Sequence, residues 1–196
     1  MSRKLITLVC TLCLVCGAIP AKAVNPDYHF INGGFETGDL TGWWTSFPDA
    51  TTTATIETWN VDSGTYAVDY VCQGNSGDTK LGQSITITAG NTYTVNAMYD
   101  ATNWGGLGVA VNYYDSSWSY LNYSWLPIYT GNGTDTGWTS FSGTFTPVAG
   151  AAYADVTLNT WGWATTYVDN VSVTPEPATM VLLGIGGLVA LRRKHA

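Results

Sequence analysis

Between positions 118 and 125 the sequence reads Trp118-Ser119-Tyr120-Leu121-Asn122-Tyr123-Ser124-Trp125, four aromatic rings and an amide in eight residues. A second group, Tyr153, Asp155, Asn159, Trp161 and Trp163, falls on alternate positions further on. Flat ring faces beside amides and carboxylates are what carbohydrate recognition needs: the rings stack on the C–H faces of a sugar, and the polar groups take its hydroxyls. Trp118, Tyr120, Trp125, Trp161 and Trp163 are the candidate ligand-binding residues. The nine Trp, twelve Tyr and five Phe all lie between positions 28 and 167, more rings than a core of that length needs. Packing between sheets and loops would use the same residue types, so both readings stay open.

Catalytic patterns are missing from the same stretch. It holds one histidine, His29, and neither H-E-x-x-H nor G-x-S-x-G. Glu36 and Glu57 are its only glutamates, and no aspartates fall in a recognisable acid–base pairing of the kind glycoside hydrolysis uses. No enzyme is expected. From 24 to 174 there are thirteen Asp and Glu against one base, Lys80, a formal charge of −12. Nucleic acid and anionic lipid require clustered Lys or Arg, so neither is an expected partner. Acidity serves solubility first, and some carboxylates are also available to Ca²⁺, which prefers hard oxygen ligands. Gly131-Asn132-Gly133-Thr134-Asp135 has the look of one Ca²⁺-loop repeat, but such loops work in arrays, and one copy reads as a turn.

The elements that must position these residues are strands. Ile85 and Ile87, then Tyr93, Val95, Ala97 and Tyr99, alternate on either side of Ala89-Gly90-Asn91, which reads as a hairpin. Leu107, Val109, Val111 and Tyr113 make one strand face, Phe141 and Phe145 another, and Ala152, Ala154, Val156 and Leu158 a third. Val168, Val171 and Val173 close the domain. If Val109 and Val156 point inward, Asn112, Tyr114, Tyr153, Asp155 and Asn159 point out, with Trp161 and Trp163 continuing that face. Helical periodicity of useful length is lacking. Many short strands between Gly, Asn, Asp and Ser turns predict an all-β domain, a jelly-roll β-sandwich.

The two ends follow different rules. Arg3 and Lys4, the apolar run Leu5 to Ala18, and Ala21-Lys22-Ala23 predict a secretory signal helix over residues 1–23, cleaved after Ala23. Cys10, Cys13 and Cys16 leave with it, and Cys16 lacks the flanking residues of a lipobox. Cys72 alone remains, in the strand-like run Ala67 to Cys72, as a small core residue with no internal disulfide partner. At the other end Pro175-Glu176-Pro177 precedes an apolar run, 178–191, and Arg192-Arg193-Lys194. Fourteen residues span about 21 Å as a helix, against about 30 Å of bilayer core, enough for a transient stop with the bases on the cytoplasmic side. This order of motif, short Gly-containing helix and basic end resembles the PEP-CTERM sorting tail of Gram-negative bacteria. The resemblance implies an exosortase-type transpeptidase as partner, transient anchorage in the inner membrane, cleavage near the motif, and delivery to the outer surface or an exopolysaccharide matrix.

The domain itself, residues 24–174, opens with Asn32-Gly33-Gly34-Phe35-Glu36-Thr37-Gly38-Asp39-Leu40-Thr41-Gly42-Trp43. It continues through Asp62-Ser63-Gly64-Thr65-Tyr66-Ala67, Gly82-Gln83-Ser84-Ile85-Thr86-Ile87 and Ala89-Gly90-Asn91-Thr92-Tyr93-Thr94, and ends with Tyr167-Val168-Asp169-Asn170-Val171-Ser172-Val173. In that order these stretches resemble carbohydrate-binding modules with a galactose-binding-like jelly roll. The resemblance implies that Phe35 and Trp43 point into the core. It also implies a structural Ca²⁺ tying the first strand to the last, with Glu36 and Asp169 as carboxylate ligands and backbone carbonyls completing the shell. The expectation is a non-enzymatic surface or matrix protein that binds polysaccharide. The alternatives are a structural or adhesive matrix component with no sugar site and, from Thr51-Thr52-Thr53-Ala54-Thr55 alone, an ice-binding protein.

Overall fold

A computed structural model describes residues 30–47, 50–74, 79–103, 105–131 and 135–176. The signal segment, the Ala23 cleavage position, Pro177 and the apolar run 178–191 lie outside the described residues. Nine strands and no helix occur among the described residues: β1 (Trp44–Ser46), β2 (Thr52–Glu57), β3 (Ala67–Gly74), β4 (Lys80–Thr86), β5 (Tyr93–Asn103), β6 (Gly106–Tyr114), β7 (Tyr120–Thr130), β8 (Thr139–Phe145) and β9 (Tyr153–Pro175). All pairings are antiparallel. The first sheet runs β1-β4-β9-β6-β7, and the second β2-β3-β9-β5-β8. This is a jelly-roll sandwich, as the strand pattern predicts.

β9 belongs to both sheets. Its first part, Tyr153 to Trp161, lies between β4 and β6, and its second part lies between β3 and β5. The crossing falls at Gly162, whose φ of 73° is open to glycine and costly for other residues. Even-numbered residues of β9 face inward from Ala154 to Val168, consistent with period two. At Asp169 and Asn170 the pairing with β5 slips, and Asn170 takes φ 52°. After this bulge the odd-numbered Val171 and Val173 are the buried ones. That slip explains the uneven spacing of Val168, Val171 and Val173.

Between the layers Leu107, Val109, Val111 and Tyr113 of β6 meet Val68 and Tyr70 of β3 and Val95, Ala97, Tyr99 and Ala101 of β5. Phe145 of β8 touches Tyr113 across the sandwich, ring centroids 6.2 Å apart. Cys72 is buried on β3. Phe35 and Trp43 stack at 5.2 Å in the core, and the Trp43 indole N–H donates to the Asn32 carbonyl at 3.0 Å. The hairpin expected around Ala89-Gly90-Asn91 is not one. β4 pairs with β1 and β9 while β5 pairs with β8 and β9, so this turn carries the chain from one sheet to the other. Alternation reveals which side a residue faces, not which strand lies beside it.

Leu158 packs at the centre of β9, 2% exposed. Leu158→Ala should lower unfolding free energy by about 2–5 kcal/mol in urea titration; a loss under about 1 kcal/mol would mean the layer above it is loosely packed.

Candidate functional site

The outer face of the first sheet collects the aromatic residues. Register places Tyr114 opposite Tyr120 and Tyr153, Asn112 opposite Tyr123 and Asp155, Ala110 opposite Trp125 and Thr157, and Gly106 opposite Trp161. β6 presents Gly106, Gly108 and Ala110 here, so the middle of the sheet is a floor of small residues. Rings lie directly on it. A Cβ on Gly108 would stand 2.4 Å from the Trp125 ring, and one on Gly106 would stand 2.0 Å from the Trp161 ring. Trp125 and Trp161 meet at 5.6 Å with an interplanar angle of 50°, and Trp125 remains 43% exposed. Trp44 of β1 closes the far side in the same manner, over Gly82.

A second aromatic group stands at the other end of the face. Asp115 shapes the turn between β6 and β7 by accepting the amides of Ser117 at 2.8 Å and Ser119 at 2.9 Å. Within that turn Trp118 adopts φ 61°, an unfavourable region for a bulky residue and a frequent mark of functional positions. The turn folds the indole back onto Tyr153, where the rings stack at 4.4 Å and 3°. Tyr114 touches Trp118 at 5.7 Å and Tyr120 at 6.1 Å.

Polar groups lie between the two aromatic ends. Asp155 accepts the Ser84 hydroxyl at 2.6 Å, and burial, then the Asp155 carboxylate, push the Tyr114 phenol up. Asn159 donates to the Thr157 carbonyl and hydroxyl, both at 2.9 Å. Asp155 is the one carboxylate in β1, β4, β6, β7 and the Tyr153–Trp161 part of β9.

Trp118, Tyr120, Trp125 and Trp161 therefore share one face. Trp163 does not: it follows the crossing at Gly162, pairs with Gln73 of β3, and is 66% exposed on the second sheet. Continuing the alternation of β9 past Trp161 misses the change of sheet. Sequence reading also missed Trp44, which reaches the face only because β1 pairs with β4.

Glu36 and Asp169 both approach Gly34: a Cβ there would stand 3.7 Å from Asp169 Oδ1 and 3.8 Å from the Glu36 Cγ. Glu36 accepts the amides of Thr65 at 3.1 Å and Tyr66 at 3.2 Å. Asp169 is fully buried and accepts those of Ser63 at 3.1 Å and Asn170 at 2.6 Å. Burial holds the Asp169 carboxyl above the usual carboxylate range; Asp62 adds to the rise, and the two amides oppose it. Among the described residues no three His, Cys, Asp or Glu side chains converge as a metal cluster. A buried carboxylate with only amides as partners still fits a cation, provided backbone carbonyls supply most of the oxygens.

Residues 173–194 match the PEP-CTERM protein-sorting motif, the mark of an exported protein sorted to the cell surface. No curated protein matches the chain in sequence. Solved structures share its fold. The enzymatically active domain of tailspike protein 4 of bacteriophage CBA120 superposes with a TM-score of 0.61 at 15% identity, over 78% of this chain and 22% of that one. The chain thus spans about a fifth of that protein's length. A family 16 carbohydrate-binding module has a TM-score of 0.53 at 20% identity, over 74% of this chain and 98% of the module. TmCBM61, solved in complex with beta-1,4-galactotriose, has a TM-score of 0.53 at 20% identity, over 76% and 99%.

Gly108→Ala should leave the far-ultraviolet spectrum intact but displace the Trp125 indole from the sheet, seen as a shift in tryptophan fluorescence; an unchanged emission spectrum would show that the ring does not rest on the glycine. The chain joins a domain with the jelly-roll fold of carbohydrate-binding modules to a C-terminal PEP-CTERM protein-sorting motif.

Proposed function

We propose that this is a non-enzymatic surface protein that binds polysaccharide on the outer face of its first sheet. One observation carries the reading: Trp125 and Trp161 lie on a glycine floor at one end of the face, Trp118 stacks with Tyr153 at the other, and Asn112 and Asp155 fall between. Such spacing offers two stacking platforms for the C–H faces of a glycan, with hydrogen-bonding groups between them. The two modules with the same fold are carbohydrate-binding by name, one with a galactotriose bound, which supports the ligand class. The sorting motif supports an exosortase-type transpeptidase as the processing partner, transient inner-membrane anchorage in a Gram-negative cell, and a final position at the cell surface or in its polysaccharide matrix.

A glycan array of neutral oligosaccharides tests this. The wild-type chain should bind at least one neutral oligosaccharide, and Trp125→Ala should weaken that binding by roughly tenfold or more, the contribution of one well-packed ring. No binding at millimolar concentration, or full binding by Trp125→Ala, would refute it.

The same reading includes a structural Ca²⁺ held by Glu36 and Asp169. Bound there, the ion would supply positive charge to a buried carboxylate and tie the opening segment to β9. Binding to the folded state alone adds about 2.7 kcal/mol at a hundredfold excess over Kd. Ca²⁺ should therefore raise the melting temperature by several degrees, and Mg²⁺ at equal ionic strength should do so much less. Asp169→Asn and Glu36→Gln should each remove the increment. A melting curve indifferent to chelation excludes the ion.

A further inference from the structure

The last strand of the fold and the first residues of the sorting motif are the same piece of chain. The motif match runs over residues 173–194, and β9 runs to Pro175. Val173 pairs with Val95, Thr174 with Thr94 and Pro175 with Tyr93, all on β5. One residue past the strand, the Glu176 amide donates to the Thr92 carbonyl at 2.9 Å. Two of the three residues of Pro175-Glu176-Pro177 are thus tied to the domain's own sheet.

The hold is graded along the strand. Val173 is fully buried, and Val171 is buried with its amide donated to the Gly33 carbonyl at 2.9 Å. Thr174 and Glu176 are exposed, and Pro175 is half-buried. The partner side is anchored: Tyr93 is buried, stacks on Phe145 with centroids 5.3 Å apart, and accepts the Thr88 amide on its hydroxyl at 2.8 Å. Parting residues 174–176 from β5 exposes little apolar surface, whereas lifting Val173 opens the core. An opening from the end therefore runs back to Thr174 and stops at Val173.

Proteins that take an extended peptide bond its backbone N–H and C=O groups. Here the Glu176 amide is already engaged, and Thr174 and Pro175 lie alongside β5. The domain and a reader of the motif compete for the same backbone. We propose that the end of β9 is a gate on sorting: the processing enzyme engages the motif only after residues 174–176 have parted from β5, while Val173 keeps the domain behind it folded. The proposal rests on processing at the sorting motif and adds the point in the fold at which that processing is admitted.

The test locks the gate with a reducible cross-link. Thr94→Cys with Thr174→Cys bridges the last outward-facing pair of β5 and β9. Asn96→Cys with Ser172→Cys bridges the pair two positions further in, of the same hydrogen-bonding class, and leaves residues 174–176 free to part. Each full-length chain is expressed in a Gram-negative host that carries an exosortase-type enzyme, and tail removal is followed by intact mass. The oxidised 94–174 chain should keep its tail roughly tenfold longer than wild type or more, because the bridge bars the opening, and reductant should restore the wild-type rate. The oxidised 96–172 chain should be processed like wild type. Thr94→Gly weakens the rung without altering the motif and should speed tail removal by roughly twofold or more. Wild-type processing of the oxidised 94–174 chain would overturn the gate, and so would a block in both cross-linked chains. If wild type itself keeps its tail, the processing reading falls, and amide exchange on the full-length chain in mild detergent decides the gate alone. There the Glu176 amide should exchange faster than that of Val171 but roughly tenfold or more slower than in an open peptide of the same sequence. An unprotected Glu176 amide means that the gate does not exist.

Discussion

One strand is hydrogen-bonded on both sides along most of its length, and the rest of the domain is arranged around it. β9 pairs with β4 and β6 in one layer and with β3 and β5 in the other, so it fixes the position of both sheets at once. A strand can do this only if it bends without losing its inward phase, and Gly162 permits the bend. The later bulge at Asp169 and Asn170 then resets the phase, leaving Val171 and Val173 to seal the core while the Asp169 carboxylate sits beside the opening segment. The contact between the two ends of the domain thus follows from a register slip. The Val171 amide donates to the Gly33 carbonyl at 2.9 Å, adding a backbone bond to the same junction.

The two outer faces are built on opposite principles. On the first sheet, Gly106 and Gly108 leave room for the Trp161 and Trp125 indoles against the backbone, and Gly82 for Thr157 and Trp44. On the second face Tyr167 stands between Asp69 and Asp100, and Trp59 meets its ring edge-on. Both leave large rings exposed, Trp118 and Trp125 on the first and Trp59 and Trp163 on the second.

What the sequence disclosed follows from what a period of two can carry. Leu107, Val109, Val111 and Tyr113 read correctly as an inward face, and Asn112, Tyr114, Tyr153 and Asp155 as an outward one, because alternation is local. Partner choice is not local. Ile85 and Tyr93 flank a short turn and look like a hairpin, yet they sit in different layers; Trp161 and Trp163 share parity, yet a sheet boundary passes between them. Trp44 and Trp59 gave no signal in isolation. Their places appear only once β1 is beside β4 and the Tyr167 ring is beside Trp59. The sorting tail was legible because its information is linear: a motif, an apolar run and a basic end in order.

The end of β9 has a mechanical meaning. Val173, Thr174 and Pro175 are still in register with Val95, Thr94 and Tyr93, and the Glu176 amide donates to the Thr92 carbonyl at 2.9 Å. The sorting match begins at residue 173, so motif and fold overlap and no slack separates them. Tension applied beyond Glu176 therefore runs along the axis of β9. Ladder bonds lie perpendicular to that axis, so a lengthwise pull loads many of them together in shear rather than unzipping them singly. A lengthwise pull on the end of β9 is thus met by the most heavily bonded element of the domain.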